Sequence, residues 1–124
     1  MLLLHKSEVL AIHTQLIDDF GGTHGLRDEN ALESALTAVE NKQYDEDADL
    51  IACSATYAYH LTQAHAFIDG NKRIGAAVAE IFLEMNDVSL NATNDQIVEL
   101  FLDIASGRIS REKLIEIFTQ WIQV

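Results

Sequence analysis

The sequence contains no proline, and this absence favours helices. Proline lacks a backbone N–H and breaks helix interiors, so 124 residues without one leave long helical segments uninterrupted. Hydrophobic residues make up 48% of the chain, which is enough to bury a core and excludes a disordered protein. A chain of this length is typical of one domain, and we expect residues 1–124 to form it around a single core.

Cysteine is nearly absent, and long apolar runs are missing. The single cysteine, Cys53, excludes an internal disulfide and fits a reducing cytoplasm. Its apolar, helix-patterned surroundings predict a small core residue, not a nucleophile. No apolar run approaches the roughly 20 residues that a membrane span needs, and Leu2–Leu4 is too short for a secretory signal. We therefore expect a cytoplasmic protein with no membrane partner.

Positive charge is also scarce. Eight lysines and arginines stand against 20 aspartates and glutamates, which gives a formal net charge of −12. Such a surface repels phosphate backbones, so we expect no nucleic-acid partner. The acidic excess serves solubility and also suits a basic protein or peptide, and composition leaves both interpretations open.

Apolar residues at intervals of three and four predict six helices. The first ends at Gly21-Gly22 and carries Phe20 on its buried face, and Val88 to Leu90 forms a brief extended piece. The predicted fold is therefore all-α: a compact six-helix bundle with at most short extended segments. Four helices are predicted to start at a capping residue: Ser7, Asp28, Asn94 and Ser110. The third helix is predicted to start near Ala48, and the fourth near Asn71.

The loop between the third and fourth helices, HAFIDGNKRIG (His65–Gly75), is rich in polar residues although a turn would suffice. The helix that starts near Asn71 presents unpaired backbone N–H groups and the positive end of its dipole. Gly70 allows a sharp turn and a close approach, while Lys72 and Arg73 add positive charge. This pattern indicates an anion site that suits phosphate.

Asp69 and His65 lie before this helix, and both carry reactive side chains. The Asp69 carboxylate suits a Mg²⁺ ion that bridges phosphate oxygens. Histidine side chains have an unperturbed pKa of about 6.5, so His65 is suited to take a proton from a hydroxyl at cellular pH. Base, metal ligand and anion site together suit transfer of a phosphorus group to a hydroxyl. Taken singly, Asp69 can be a helix cap, His65 a helix-end residue, and Lys72 and Arg73 solvated charges. Phe67 is expected to be an apolar plug.

Residues His65–Arg73 resemble the signature of the Fic/Doc (Fido) family, H-x-F-x-[D/E]-[G/A]-N-x-R, and meet every fixed position. The segment Gly21–Leu36 resembles the upstream region of the death-on-curing (Doc) branch. The resemblance implies a helical Fido fold, ATP and Mg²⁺ as cofactors, and transfer to a protein hydroxyl. It implies that His65 is the general base, that Asp69 binds the metal, and that the phosphate is held by Gly70, Asn71, Lys72 and Arg73.

Two departures from the usual Fic pattern bear on the group transferred. Most Fic relatives transfer AMP, with glycine after the asparagine and a second arginine three residues beyond the first. Here Lys72 and Ala76 occupy those places, as in the death-on-curing branch, which the resemblance implies is a protein kinase that acts on a translation elongation factor and arrests growth. The lost arginine removes a phosphate clamp worth about 1.5–3 kcal/mol. An AMP transferase with an altered motif, or a Fido scaffold that only binds a partner, remains an alternative.

Control of the enzyme is expected to come from another chain. The inhibitory pattern of many Fic proteins, [S/T]-x-x-x-[E/D]-[G/N], does not occur in the sequence. The resemblance then implies a separate antitoxin, as in type II toxin–antitoxin systems. In this family a target segment pairs with an extended flap, for which Lys42–Asp47 is the candidate, although a solvated loop explains the stretch equally well. A metal hydrolase is disfavoured because the other histidines lack H-x-x-x-H spacing.

Overall fold

The computed structural model describes residues 1–45 and 49–123, and within these ranges the chain forms six helices and one antiparallel strand pair. The predicted all-α, six-helix fold with short extended segments is thereby confirmed. Among the helices of these ranges, none is long and apolar enough to cross a membrane. The elements are α1 (Lys6–Phe20), α2 (Glu29–Asp45), α3 (Leu50–Ala64), α4 (Asn71–Met85), β1 (Ser89–Leu90), α5 (Asn94–Ala105), α6 (Arg111–Trp121) and β2 (Ile122–Gln123).

Side-chain caps set several of the helix starts. Asp28 accepts a hydrogen bond from the Ala31 N–H at 3.0 Å, and Ser110 accepts one from the Lys113 N–H at 3.1 Å, as predicted for both caps. The prediction of Asn94 as a cap is wrong, because Thr93 precedes it and forms a reciprocal pair with Gln96.

The start of α1 also differs from the prediction. The helix begins at Lys6, with His5 as its N-terminal flanking residue. Ser7 therefore lies inside the first turn and is not the cap. The cause is Glu8, whose carboxylate accepts the His5 backbone N–H at 2.9 Å. This hydrogen bond stabilises a helix start at His5, before Ser7.

For the polar stretch Lys42–Asp47, an extended flap and a solvated loop are the two interpretations, and both are wrong for its first part. Lys42–Asp45 continue α2 as helix, because no glycine or proline interrupts the chain there. Glu46 and Asp47, and the predicted start of the third helix at Ala48, lie outside the described residues. The third helix is described from Leu50, with Asp49 capping the Ala52 N–H at 2.8 Å.

Helix α3 is the central element of the bundle. It packs against α2, α4, α5 and α6, and every residue from Cys53 to Ala58 is buried. Two buried hydroxyls of this helix donate to carbonyl oxygens: Ser54 to that of Ala79 at 3.2 Å and Thr56 to that of Ala52 at 2.7 Å. Cys53 is fully buried and burial raises the pKa of its thiol, so its prediction as a core residue is confirmed.

The C-terminal half of α3 crosses α4 at very short distance, and Gly75 permits this crossing. A methyl group at Gly75 would lie 2.2 Å from the Thr62 hydroxyl oxygen and 3.1 Å from the Ala58 carbonyl oxygen. The Thr62 hydroxyl is buried, and no hydrogen-bond partner meets it among the residues described. The close crossing brings the end of α3 beside the start of α4, and the loop between them is therefore held tightly.

We predict that Gly75→Ala lowers the free energy of unfolding by about 1–3 kcal/mol, because overpacking forces the two helices apart. Adding Thr62→Ala removes the atom at 2.2 Å and should restore part of the loss. Thr62→Ala alone should cost little, since an unpaired buried hydroxyl contributes no net stabilisation. Urea denaturation of the three variants measures these differences. A double variant no more stable than Gly75→Ala contradicts the assigned clash.

Candidate functional site

The chain leaves α3 through a left-handed residue. His65 has φ 49° and ψ 41°, a conformation that costs energy for a residue other than glycine. Arg27 stabilises it, because the Arg27 Nε–H donates to the His65 carbonyl oxygen at 2.8 Å. The next carbonyl, of Ala66, accepts the backbone N–H groups of Arg27 and Asp28 at 2.8 and 3.0 Å. The loop before α2 thus holds the histidine at the end of α3.

Phe67 anchors the middle of the loop. Its side chain is buried, as predicted for an apolar plug, and its backbone pairs with Leu26 in an isolated antiparallel bridge. The Asn71 side chain satisfies both polar groups of this residue, accepting the Phe67 N–H at 3.1 Å and donating to the Phe67 carbonyl at 3.0 Å. Asn71 therefore fixes the loop with its amide, while its backbone N–H has no partner among the described residues and remains for a ligand.

The start of α4 carries no protein cap. Gly70 occupies the position before the helix with φ 76° and ψ 22°, and it has no side chain to supply a cap. The helical hydrogen bonds begin with the Ile74 N–H, which donates to the Gly70 carbonyl at 2.9 Å. Within the ranges 1–45 and 49–123, no acceptor meets the backbone N–H groups of Asn71, Lys72 or Arg73. These groups and the helix dipole favour a bound anion.

Two cations flank this helix start. The side chains of Lys72 and Arg73 are exposed, and neither forms an ion pair with any described residue. The Arg73 guanidinium lies 4.7 Å above the centre of the Phe20 ring. Phe20 is 63% exposed, so its prediction as a buried residue is wrong. The ring lies at the surface beneath Arg73, where a cation–π contact orients the guanidinium.

Asp69 is fixed by backbone groups on both of its carboxylate oxygens. Oδ1 accepts the Gly70 N–H at 2.8 Å, and Oδ2 accepts the Thr23 N–H at 3.2 Å. Gly22 leaves the room for this contact, since a methyl group there would lie 2.6 Å from Asp69 Oδ2. The Asp69 carbonyl oxygen lies 2.8 Å from Nε2 of His13. Asp69 is therefore restrained from the side of α1 and the loop after it.

The Asp69 carboxylate fits a Mg²⁺ ion that also binds phosphate. Each carboxylate oxygen keeps a lone pair after accepting one N–H, and the side chain is exposed. No group of three or more histidine, cysteine, aspartate or glutamate side chains suited to a metal occurs in the described part of the chain. Mg²⁺ commonly takes one or two protein carboxylates and completes its shell with water and substrate phosphates, so one carboxylate is sufficient here.

The six site residues predicted from the sequence line one cleft of about 610 Å³. His65, Asp69, Gly70, Asn71, Lys72 and Arg73 all contribute to its surface.

An apolar wall from α5 lies across this cleft, and the sequence interpretation missed it. Val98 and Leu102 contribute to the wall and are 59% and 49% exposed. The signal was present in the sequence, because α5 has apolar residues on more of its circumference than one buried stripe requires. His13 was also missed as a neighbour of the loop, although it lies between Val9 and Ile17 on the buried stripe of α1.

Comparison with known proteins agrees with the motif. The pattern described as the Fic/DOC family matches residues 3–83. "Protein kinase doc" of Escherichia phage P1 is 33% identical over 108 residues, which cover 86% of this chain and 85% of that protein. "Toxin Doc" of Mycolicibacterium smegmatis is 37% identical over 78 residues, which cover 61% of this chain and 60% of that protein. The chain belongs to the Fic/Doc family, in its death-on-curing branch, and this prediction is confirmed.

We predict that Gly22→Ala weakens binding of ATP in the presence of Mg²⁺, because the new methyl group pushes the Asp69 carboxylate from the Thr23 N–H. The matched control is Gly21→Ala. Both glycines have positive φ, 121° and 86°, but a methyl group at Gly21 meets nothing within 4 Å. Both variants should therefore lose similar stability through backbone strain, and only Gly22→Ala should raise the Kd in calorimetry. Equal Kd values for the two variants contradict this assignment.

Proposed function

We propose that this protein is the toxin of a type II toxin–antitoxin system and transfers the terminal phosphoryl group of ATP to a hydroxyl of a target protein, arresting translation and growth. One observation carries the proposal: the uncapped start of α4, with two cations unpaired among the described residues, opens into the same cleft as His65 and Asp69. The relatives named "Protein kinase doc" and "Toxin Doc" support it.

Each residue has a role in the proposed transfer. His65 takes the proton of the acceptor hydroxyl, whose oxygen forms a bond to the γ-phosphorus. The bond from this phosphorus to the oxygen that bridges to the β-phosphate breaks, and its electron pair leaves with ADP. The backbone N–H groups of Asn71, Lys72 and Arg73, with the two cationic side chains, stabilise the negative charge on the transferring group. His65 then returns its proton to solvent.

Mg²⁺ would be held by Asp69 together with phosphate oxygens, where it neutralises phosphate charge. The protein's contribution is to keep the carboxylate in one orientation. The Thr23 and Gly70 N–H groups, at 3.2 and 2.8 Å from its two oxygens, restrict rotation of the side chain.

Phosphoryl transfer is favoured over AMP transfer by the residues that follow Asn71. Lys72 adds bulk where the AMP-transferring relatives have glycine. Ala76 lines the cleft and offers a methyl group where those relatives have a second arginine. An α-phosphate carrying its remaining nucleotide would find less space and one clamp fewer, whereas a terminal phosphate needs only the start of α4.

The proposal includes a partner and a target. We infer that residues 1–124 act as one Fido domain and that a separate antitoxin restrains it, because the sequence contains no inhibitory pattern of its own. The net charge of −12 favours an antitoxin segment with basic residues. A translation elongation factor is the target class that membership of the death-on-curing branch favours.

Labelled ATP tests the reaction directly. The purified protein, ATP labelled at the γ- or the α-phosphate, and a cell lysate are incubated with Mg²⁺. We expect γ-label on a protein and no α-label, and no transfer by His65→Ala, which lacks the base. Label from the α-phosphate alone would identify an AMP transferase. Binding of ATP without transfer of either label would identify a scaffold that has lost turnover.

Substitution of Arg73 tests the anion site. Arg73→Ala removes a charge-assisted contact worth about 1.5–3 kcal/mol, so we predict a loss of roughly 10- to 100-fold in kcat/KM. The matched control is Arg108→Ala, because the Arg108 side chain is 76% exposed and its ion pair among the described residues is with Asp103. The control should keep its activity. A loss of the same size in both variants would indicate a general charge effect.

Growth tests the proposed control. Expression of this chain alone should stop growth, and expression beside its neighbouring gene should be tolerated. His65→Ala separates catalysis from mere binding, since a catalytic toxin loses its effect with that substitution. Equal growth of cells with and without the neighbouring gene contradicts the toxin–antitoxin assignment.

A further inference from the structure

His13 is a buried polar residue directly beneath the phosphate-binding loop. It lies in the middle of α1 and is only 2% exposed. Its ring stacks on Phe67 with centroids 3.8 Å apart and an angle of 13° between the planes. Nε2 is 2.8 Å from the Asp69 carbonyl oxygen. Since a carbonyl oxygen can only accept, Nε2 must carry a proton in this contact.

This contact fixes the orientation of the Asp69–Gly70 peptide. The carbonyl oxygen of the peptide is directed to His13, which lies in the core, and not to the cleft that Asp69 and Gly70 line. The N–H of the same peptide donates to Asp69 Oδ1 at 2.8 Å. A rotation of the peptide about its axis would exchange the two directions and break both hydrogen bonds.

Gly70 makes such a rotation inexpensive for the backbone. A peptide rotation changes ψ of the residue before it and φ of the residue after it, and glycine accepts either sign of φ. The observed φ of 76° is therefore one of several that Gly70 can adopt. The rotated peptide would present a carbonyl oxygen next to the three free N–H groups of α4, and its partial negative charge would repel an anion there. Protein groups must select one orientation: the Asp69 carboxylate accepts the N–H of the peptide, and His13 is the group in contact with its carbonyl oxygen.

We propose that His13 is a positioning residue for the transfer reaction: its Nε2–H holds the Asp69 carbonyl away from the cleft, so that the start of α4 stays open to phosphate. The ring contact with Phe67 fixes the imidazole plane, and the hydrogen bond then fixes the peptide. His13 touches neither phosphate nor the acceptor hydroxyl in this role. The inference rests on the proposed function only in taking phosphate as the anion that the helix start binds.

Two substitutions separate positioning from packing. His13→Phe keeps an aromatic ring against Phe67 and removes the donor. His13→Gln gives up the ring and restores an N–H donor of similar reach. If His13 only packs, Phe should be the better replacement. If it positions the peptide, Gln should be the better replacement for binding of ATP in the presence of Mg²⁺, even where it is the less stable protein.

The Asp69–Gly70 peptide can be observed by NMR without overlap from other peptides. Asp69-Gly70 is the only Asp-Gly pair in the sequence, so a protein labelled with ¹³C-carbonyl aspartate and ¹⁵N-glycine gives a single cross-peak in a carbonyl-to-amide NMR correlation. We expect this peak to move or split in His13→Phe and to stay near the wild-type position in His13→Gln. In the wild type, a long-range imidazole correlation should show the proton of His13 on Nε2.

Calorimetry with ATP and Mg²⁺ gives the functional result. We expect His13→Phe to raise the Kd roughly 3- to 10-fold, as loss of one neutral hydrogen bond implies, and His13→Gln to stay within about twofold of wild type. An unchanged cross-peak and Kd in His13→Phe would overturn the proposal, as would a wild-type His13 protonated only on Nδ1, a result that needs no variant to fold. A wild type that gives no heat with ATP contradicts the proposed function instead, and the cross-peak still decides the role of His13.

Discussion

The start of α4 is open because the Asn71 side-chain amide forms its hydrogen bonds with the loop and not with the helix. An asparagine beside a helix start commonly caps a backbone N–H, but here both ends of the amide hold the Phe67 backbone. Gly70 has no side chain that could take its place. The first turn is therefore left with unpaired N–H groups, which are costly in a protein unless water or a ligand satisfies them. The same amide fixes the loop and leaves the anion site free, so one interaction produces both features.

The distribution of charge supports the same site. The chain has eight basic residues against 20 acidic ones, and several of its cations form ion pairs among the described residues. Lys6, Arg108, Arg111 and Lys113 each pair with a carboxylate. Lys72 and Arg73 are neighbours in the chain, and neither forms an ion pair with a residue that the structure describes. In a protein of net negative charge, two neighbouring cations repel each other at a cost that a bound phosphate offsets.

Much of this architecture was predictable because it is encoded locally. Six helices follow from apolar spacing and from the absence of proline, and the six site residues lie within nine positions, so a short motif brings them to one cleft. The errors occurred where a residue has two competing roles. Thr93 and Asn94 are both good caps, and only the partner Gln96 decides between them. Phe20 has the spacing of a core residue, but it lies under Arg73. The surplus of apolar residues on α5 is visible in the sequence, but the cleft that they face and the contact of His13 depend on tertiary packing, which local pattern does not specify.

The site is assembled on a support that comes from the first part of the chain. Between α1 and α2, the segment 21–28 pairs with the loop backbone at Leu26, and its Thr23 N–H binds the Asp69 carboxylate. Arg27 holds the His65 carbonyl, and on α1 the Phe20 ring orients Arg73. None of these supporting residues lines the cleft among the residues described, yet Thr23, Arg27 and Phe20 each contact a residue that does. This gives a physical reason why the resemblance to the death-on-curing branch extends upstream to Gly21–Leu36: the proposed phosphate-binding loop keeps its geometry only if the surface behind it is also maintained.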